Sequence, residues 1–147
     1  MGLPLNSRFV CFHARDSSYG ESLGAGIDIG RVDYRNSKIQ NYMPAVQELT
    51  SRGYYAIRMG AVVEEPIFSD NPMIIDYATK HRSEFLDVYL AAKCAYFIGS
   101  AVGITHLPMA FRRPTVHTNF VPFGVLLGWQ QHDLCIPKKF LLNESGR

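Results

Sequence analysis

Apolar and polar positions along the 147-residue chain fall into alternating blocks of two periods. Short apolar or aromatic runs bounded by polar residues predict buried strands: RFVCFH at 8–13, YYAIRMG at 54–60, AYFIGS at 95–100 and TVHTNF at 115–120. MIIDYA at 73–78 reads as a short strand or turn, and LCIPKKF at 134–140 as a final short strand. Between them the period lengthens. NYMPAVQELTSRG at 41–53 puts Met43, Val46 and Leu49 on one helical face, with Asn41 as cap, Pro44 in the first turn, Arg52 in the last and Gly53 at the exit. SEFLDVYLAAKC at 83–94 opens on Ser83 as cap, carries Glu84 and Asp87 at its positive end, and lines up Phe85, Tyr89 and Ala92. AVGITHLPMAFRRP at 101–114 reads as a turn and a short helix stopped before Pro114, and VPFGVLLGW at 121–129 as an apolar loop. Residues 14–40 form a long polar, glycine-rich loop, of which residues 17–40 are expected to order only on ligand binding. The succession β-loop-α-β-(β)-α-β-α-β predicts an α/β fold: a Rossmann-like parallel sheet with helices on both faces, one domain over residues 1–147.

Composition narrows the picture without redirecting it. An apolar fraction of 47% and a charged fraction of 19% suit a globular chain with its own core. A net charge of +2 gives no case for nucleic acid, although local basic spots can hold a small phosphate. Cys11, Cys94 and Cys135 are widely spaced and each lies in an apolar run, so they read as core thiols in a reducing compartment. The start MGLPLNS lacks the pattern of a signal peptide, and Asn6 stands where a myristoylation signal needs Ser or Thr. No apolar run reaches transmembrane length. The expected location is the cytoplasm, with a peripheral position at the inner face of the membrane as a variant.

Parallel sheets bind ligands beyond the carboxyl ends of their strands, so the residues there carry the candidate chemistry. After the first strand come His13, Arg15, Asp16, Ser17 and Ser18; after the second, Arg58 and Gly60. After AYFIGS come Gly99, Ser100, Gly103, Ile104, Thr105 and His106, and after TVHTNF come Thr118 and Asn119. Guanidinium forks, hydroxyls and glycine turns leading into a helix suit a diphosphate. Arg15 is expected to face an anion, with Asp16 holding Arg15 or the loop in place. His13 could be a base, a phosphate donor or a packed ring. Each residue also has a purely structural role open to it: a satisfied histidine, a surface ion pair, a solvated arginine, a tight βα turn.

Several signatures are missing. There is no GxxxxGK[ST] loop, and GAGIDIG spaces its glycines wrongly and too far from the strand for a dinucleotide turn. HExxH, GxSxG, a Cys/His cluster and any Asp-x-Asp pair are all absent, so no metal and no cofactor are expected.

HARDSSY, DYRNSKIQNYMPAVQELTSRGYYAIRMG, IIDYA, SEFLDVYLAAKCAYFIGSAVGI and FRRPTVHTNFVPFG, in that order over about residues 9 to 139, resemble the nucleotide-binding half of a group of bacterial glycosyltransferases of surface polysaccharide synthesis. FHARD is also similar to the His-x-Arg motif of the O-fucosyltransferases, and SAVGITHLPMAFRRPTV to the Gly-x-x-His-Leu segment of the heptosyltransferases. The resemblance implies a metal-independent GT-B half-domain that binds a nucleotide diphosphate sugar and transfers the sugar to a hydroxyl on a saccharide or lipid-linked acceptor. By motif match, Arg15 and the turn Ser100–His106 would hold the diphosphate, with Ser17, Arg58 and Gly60 nearby; His13 or Asp16 would serve as base, unless the base lies on a separate acceptor domain. Members of the group are longer, with an acceptor domain before this region, so the resemblance implies a fragment of a two-domain protein. It would leave FVPFGVLLGW as an uncovered apolar surface, a candidate aggregation or partner site, and DYRNS at 33–37 as a candidate contact to the sugar. The alternative is a nucleotide-binding module without catalysis. A third reading, a phosphatase or sulfotransferase on a flavodoxin-like sheet, lacks a nucleophile or co-substrate motif.

Overall fold

A computed structural model describes residues 2–24, 33–121, 124 and 130–139. Most of VPFGVLLGW and the middle of the glycine-rich loop lie outside the described residues. Six strands form one all-parallel sheet: β1 (Phe9–His13), β2 (Tyr55–Arg58), β3 (Ile74–Ile75), β4 (Phe97–Gly99), β5 (Thr115–Phe120) and β6 (Leu134–Pro137). Their order is β3-β2-β1-β4-β5-β6. This is the doubly wound, Rossmann-like order, in which the chain reverses direction across the sheet between β1 and β4. The helices are α1 (Ser18–Ser22), α2 (Met43–Ser51), α3 (Tyr77–Lys80), α4 (Glu84–Lys93) and α5 (His106–Ala110).

The strands β1, β2 and β4 are short, apolar and buried on both sides because helices cover both faces, whereas β6 exposes Leu134 and Ile136. Val10, Phe12, Ala56 and Ile98 pack with Val46 of α2 on one face. Cys11, Ile57 and Phe97 pack with Tyr77 of α3 and with Leu90 and Cys94 at α4 on the other. Cys11 and Cys94 are buried core thiols and Cys135 is half-buried; all three are free. No helix among the described residues is long and apolar enough to cross a membrane.

Local signals explain the helix ends. The Ser83 hydroxyl accepts the Leu86 N–H at 3.3 Å, as its sequence position predicts. Gly53 leaves α2 with φ +84°, a left-handed exit that glycine takes without strain. Asn41 is not the cap of α2: a 3₁₀ turn over Ile39–Tyr42 carries Ile39 and Tyr42 into the core, and Tyr42 takes the cap position. The single turn α1 interrupts what reads in sequence as continuous loop.

Candidate functional site

The switch point places the ends of β1 and β4 side by side. There the backbone N–H of Arg15 donates to the Ser100 hydroxyl at 2.9 Å. Ser100 is buried, and its carbonyl accepts the Thr105 hydroxyl at 2.8 Å, which closes the turn from Ser100 to Thr105. His106 Nδ1–H donates to the Gly103 carbonyl at 3.1 Å and the ring stays exposed. Ile104 packs inward, toward the core on the α4 face. Gly103 has open space where a Cβ would stand, so nothing steric demands glycine there.

A strap of residues 33–37, DYRNS, is fastened across these strand ends. Ser37 N–H donates to the Arg15 carbonyl at 2.8 Å. The Asn119 side-chain amide donates to the carbonyls of Arg35 and Asn36 at 3.0 and 3.2 Å. Tyr42 and Thr118 share a hydroxyl–hydroxyl bond of 2.6 Å. The Arg15 guanidinium reaches the Asn36 side-chain oxygen, the Arg35 guanidinium the Ala101 carbonyl, and the Lys138 ammonium the Tyr34 carbonyl. Asn119, placed at a strand end by sequence, therefore holds the strap, and Thr118 beside it holds Tyr42 of the turn that follows.

Two guanidinium groups thus converge at the crevice. Burial, and next the neighbouring Arg35, hold Arg15 below its ordinary pKa, against the pull of Asp33 and Asp16. Beside them lies a cavity of about 580 Å³, with Arg35, Gly103, Thr105, His106 and His117 in its wall. His117 is buried against Phe120, with ring centroids 5.7 Å apart, and its Nε2 has no hydrogen-bond partner among the described residues. Burial pushes its pKa down, partly offset by Asp133. The Arg35 Nε is likewise buried and unbonded. Unsatisfied donors and acceptors of this kind are costly in a finished interior and common where a ligand completes the set. Arg35 lies in DYRNS, the segment that the sequence offers as a sugar contact, although nothing local sets its guanidinium apart. His117 does not stand out in sequence, because it lies within a strand whose pairing sets its place.

The remaining sequence candidates divide. His13 pairs in register with Gly99, and Gly99 with His117, so the two histidines share a face of the sheet and flank a position without a side chain. His13 Nδ1–H donates to the Met59 carbonyl at 2.9 Å, which leaves the lone pair of the neutral ring on Nε2. Gly60 lies close by: a Cβ there would stand 2.5 Å from Val63 Cγ1 and 3.6 Å from His13 Nδ1. Both Asp16 oxygens are engaged, Oδ1 by the Ser18 N–H at 3.1 Å and Oδ2 by the Glu64 N–H at 3.0 Å. Asp16 therefore fastens the start of α1 to the loop after β2, a positioning role rather than that of a free base. Ser17 caps α1 through its backbone alone, accepting the Glu21 N–H at 3.0 Å.

Arg58 is not brought to the crevice. Its side chain is 2% exposed, bonds the Glu65 carbonyl and lies 3.6 Å from Asp76 Oδ2. The expectation that Arg58 stands beside a bound phosphate gives way to a buried ion pair. Strand-end position fixed where its Cα lies, but its side chain turned into the protein. Among the described residues no cluster of three or more His, Cys, Asp or Glu could hold a metal ion.

The protonation of His13 makes a testable claim. Burial lowers its pKa first, and Arg58 and Arg15 lower it further; the Met59 bond and Asp16 oppose them. The unfolded chain then binds a proton below about pH 6.5 that the folded chain refuses, so stability falls as pH drops through that value. The limiting slope is about 1.4 kcal/mol per pH unit for one proton. In His13→Asn the side-chain amide can still donate to Met59 but cannot titrate. Urea melts between pH 7 and 5 should show a shallower loss for this variant than for the parent, and equal slopes would refute the assignment.

Comparison with protein-family models, with curated proteins and with solved structures finds no match to this chain.

Proposed function

We propose that the crevice between β1 and β4 binds a nucleoside diphosphate, and that the chain is the donor-binding half of a metal-independent glycosyltransferase. The observation that carries the reading is the meeting of Arg15 and Ser100 at the switch point, with Arg35 beside them. Two fixed guanidinium forks next to a polar turn match paired phosphoryl groups. In transfer, negative charge grows on the departing diphosphate as the bond to the sugar breaks, and donors already in place lower the barrier without reorganising. The sequence resemblance supports a sugar nucleotide as ligand, a saccharide or lipid-linked hydroxyl as acceptor, and work at the inner face of a membrane in surface polysaccharide synthesis.

A specific observation favours a second reading, nucleotide binding without catalysis by this chain. Asp16 has both oxygens bonded to backbone N–H groups, and His13 is buried with one nitrogen committed. A general base would then come from a separate acceptor domain.

Thermal unfolding with GDP, UDP, ADP, CMP, dTDP and inorganic pyrophosphate tests the site. One nucleoside diphosphate should stabilise more than pyrophosphate, by about 2.7 kcal/mol at a hundredfold excess over Kd. If none of the panel raises the melting temperature, the diphosphate reading fails. Hydrolysis of the matching sugar nucleotide by the isolated chain favours catalysis; binding without hydrolysis favours the second reading.

A further inference from the structure

Among the described residues four buried side-chain atoms lack a hydrogen-bond partner, and three of them gather around His117. The fourth, Asp76 Oδ1, belongs to the ion pair with Arg58. Arg35 Nε and His117 Nε2 belong to side chains in the wall of the cavity beside the crevice. Asp133, whose Oδ2 is unbonded, lies near enough to His117 to favour its charged form. The fold sets His117 between the other two. Asp133 immediately precedes β6, and its Oδ1 accepts the Thr115 N–H at 2.8 Å, at the start of β5. The Arg35 carbonyl is held by Asn119, near the far end of the same strand. His117 therefore has a carboxylate behind it along β5 and a guanidinium ahead of it.

The groups around the ring decide its charge. Burial disfavours the imidazolium, Asp133 favours it, and His106 at the start of α5 opposes it. Arg35 adds a positive charge at the cavity. Cys135, the partner in register on β6, stays a thiol because burial raises its pKa. His13, two strands away in the same row, is held neutral by burial. These influences leave the ring of the free chain neutral at pH 7. A diphosphate seated against Arg15 and Arg35 reverses the balance, because it brings negative charge to the cavity side of the ring. The imidazolium then donates from both nitrogens, so the orphaned Nε2 gains a role and Asp133 gains a countercharge.

We propose that His117 is a ligand-binding residue that takes up a proton from solvent when a diphosphate enters the crevice, so that the site grips its ligand more tightly as pH falls. The proposal rests on the nucleoside diphosphate reading and deepens it. Linkage is reciprocal: a ligand that strengthens proton binding is itself bound more strongly by the protonated chain, by the same factor. The gain is lost as pH rises above the pKa of the ring in the complex, and for one proton it is at most about tenfold per pH unit.

Isothermal titration calorimetry of the full chain tests it, with GDP, UDP, ADP, dTDP and inorganic pyrophosphate as ligands. Titrating the tightest binder near neutral pH, in buffers of different ionisation enthalpy, counts the protons taken up. The ligand's own phosphoryl groups contribute to that count. The readout is therefore the difference between the parent and His117→Gln, which keeps a donor and an acceptor but cannot titrate. The parent should take up as much as about one proton more. From about pH 8 to about pH 6 its affinity should gain about tenfold over that of the variant. Nitrogen-15 spectra of the histidine rings in the parent decide the matter even if the variant fails to fold. Saturating ligand at about pH 7 should move His117 from the neutral to the protonated pattern. If none of the five ligands binds, the diphosphate reading fails and this proposal fails with it. If one binds, equal uptake in parent and variant, or a His117 ring that stays neutral in the complex, overturns this proposal alone.

Discussion

Arg58→Met is expected to destabilise the folded chain by about 3–5 kcal/mol, the usual cost of breaking a buried ion pair from one side. The reason is what the substitution leaves behind. Asp76 is 3% exposed at its side chain, and its Oδ2 also accepts the Ile67 N–H at 2.8 Å and the Thr79 hydroxyl at 2.8 Å. Without Arg58 a carboxylate remains in the interior, with Oδ1 unbonded and its countercharge gone. The Glu65 carbonyl also loses its guanidinium partner. Asp76→Asn should cost a similar amount from the other side, by leaving a guanidinium buried without its anion. The double variant should cost less than the sum of the two singles, because neither orphaned charge then exists. It should not return to parental stability, since replacing Asp76 also disturbs the bonds that tie down Ile67 and Thr79. Urea melts of the four proteins give the cycle directly. Additive losses would mean that the two side chains do not act as a pair.

Arg58 also shows where sequence reasoning stops. The strands β1, β2, β4 and β5 were legible because VCF, AI, FI and the alternating TVHTNF have the composition of buried sheet. Ser83 was legible as a cap because its signal is local. The sheet order was not legible, since nothing in the order of strands along the chain states which neighbour each one takes. Arg15 and Ser100 could be placed at strand ends from sequence, and the order β3-β2-β1-β4-β5-β6 then brings them into contact. The same rule treated Arg58 alike. Its fate depended on Asp76, which lies beyond an irregular segment that local patterns do not read. His117 was missed for a related reason: its row with His13 and Gly99 exists only once the register is known. DYRNS could be offered from sequence as a contact segment, but its fastening as a strap could not, because its bonds to Arg15, Ala101, Asn119 and Lys138 span 21 to 104 positions.

Arg15→Ala should behave in the opposite way to Arg58→Met, with ligand affinity lost and the unliganded fold left standing. Arg15 is half-buried and shares the crevice with Arg35, whose charge works against it. Removing one of two neighbouring cations relieves that repulsion, which offsets the lost bond to Asn36. The melting temperature without ligand should therefore stay close to that of the parent. Stabilisation by the nucleoside diphosphate should disappear. In a complete enzyme carrying this domain, turnover should fall by about 10²–10³, the loss of about 3 kcal/mol that follows removal of one donor from a developing anion. Arg15→Lys should recover little, because an ammonium cannot offer two parallel N–H donors to neighbouring oxygens. Asn36→Ala separates this account from a mechanical one. It unfastens the same strap contact but keeps the guanidinium, so it should retain most of the ligand-induced shift. If Asn36→Ala loses as much as Arg15→Ala, the guanidinium serves to hold the strap and the ligand is recognised elsewhere. Parental affinity in Arg15→Ala would remove the crevice as the phosphate site altogether.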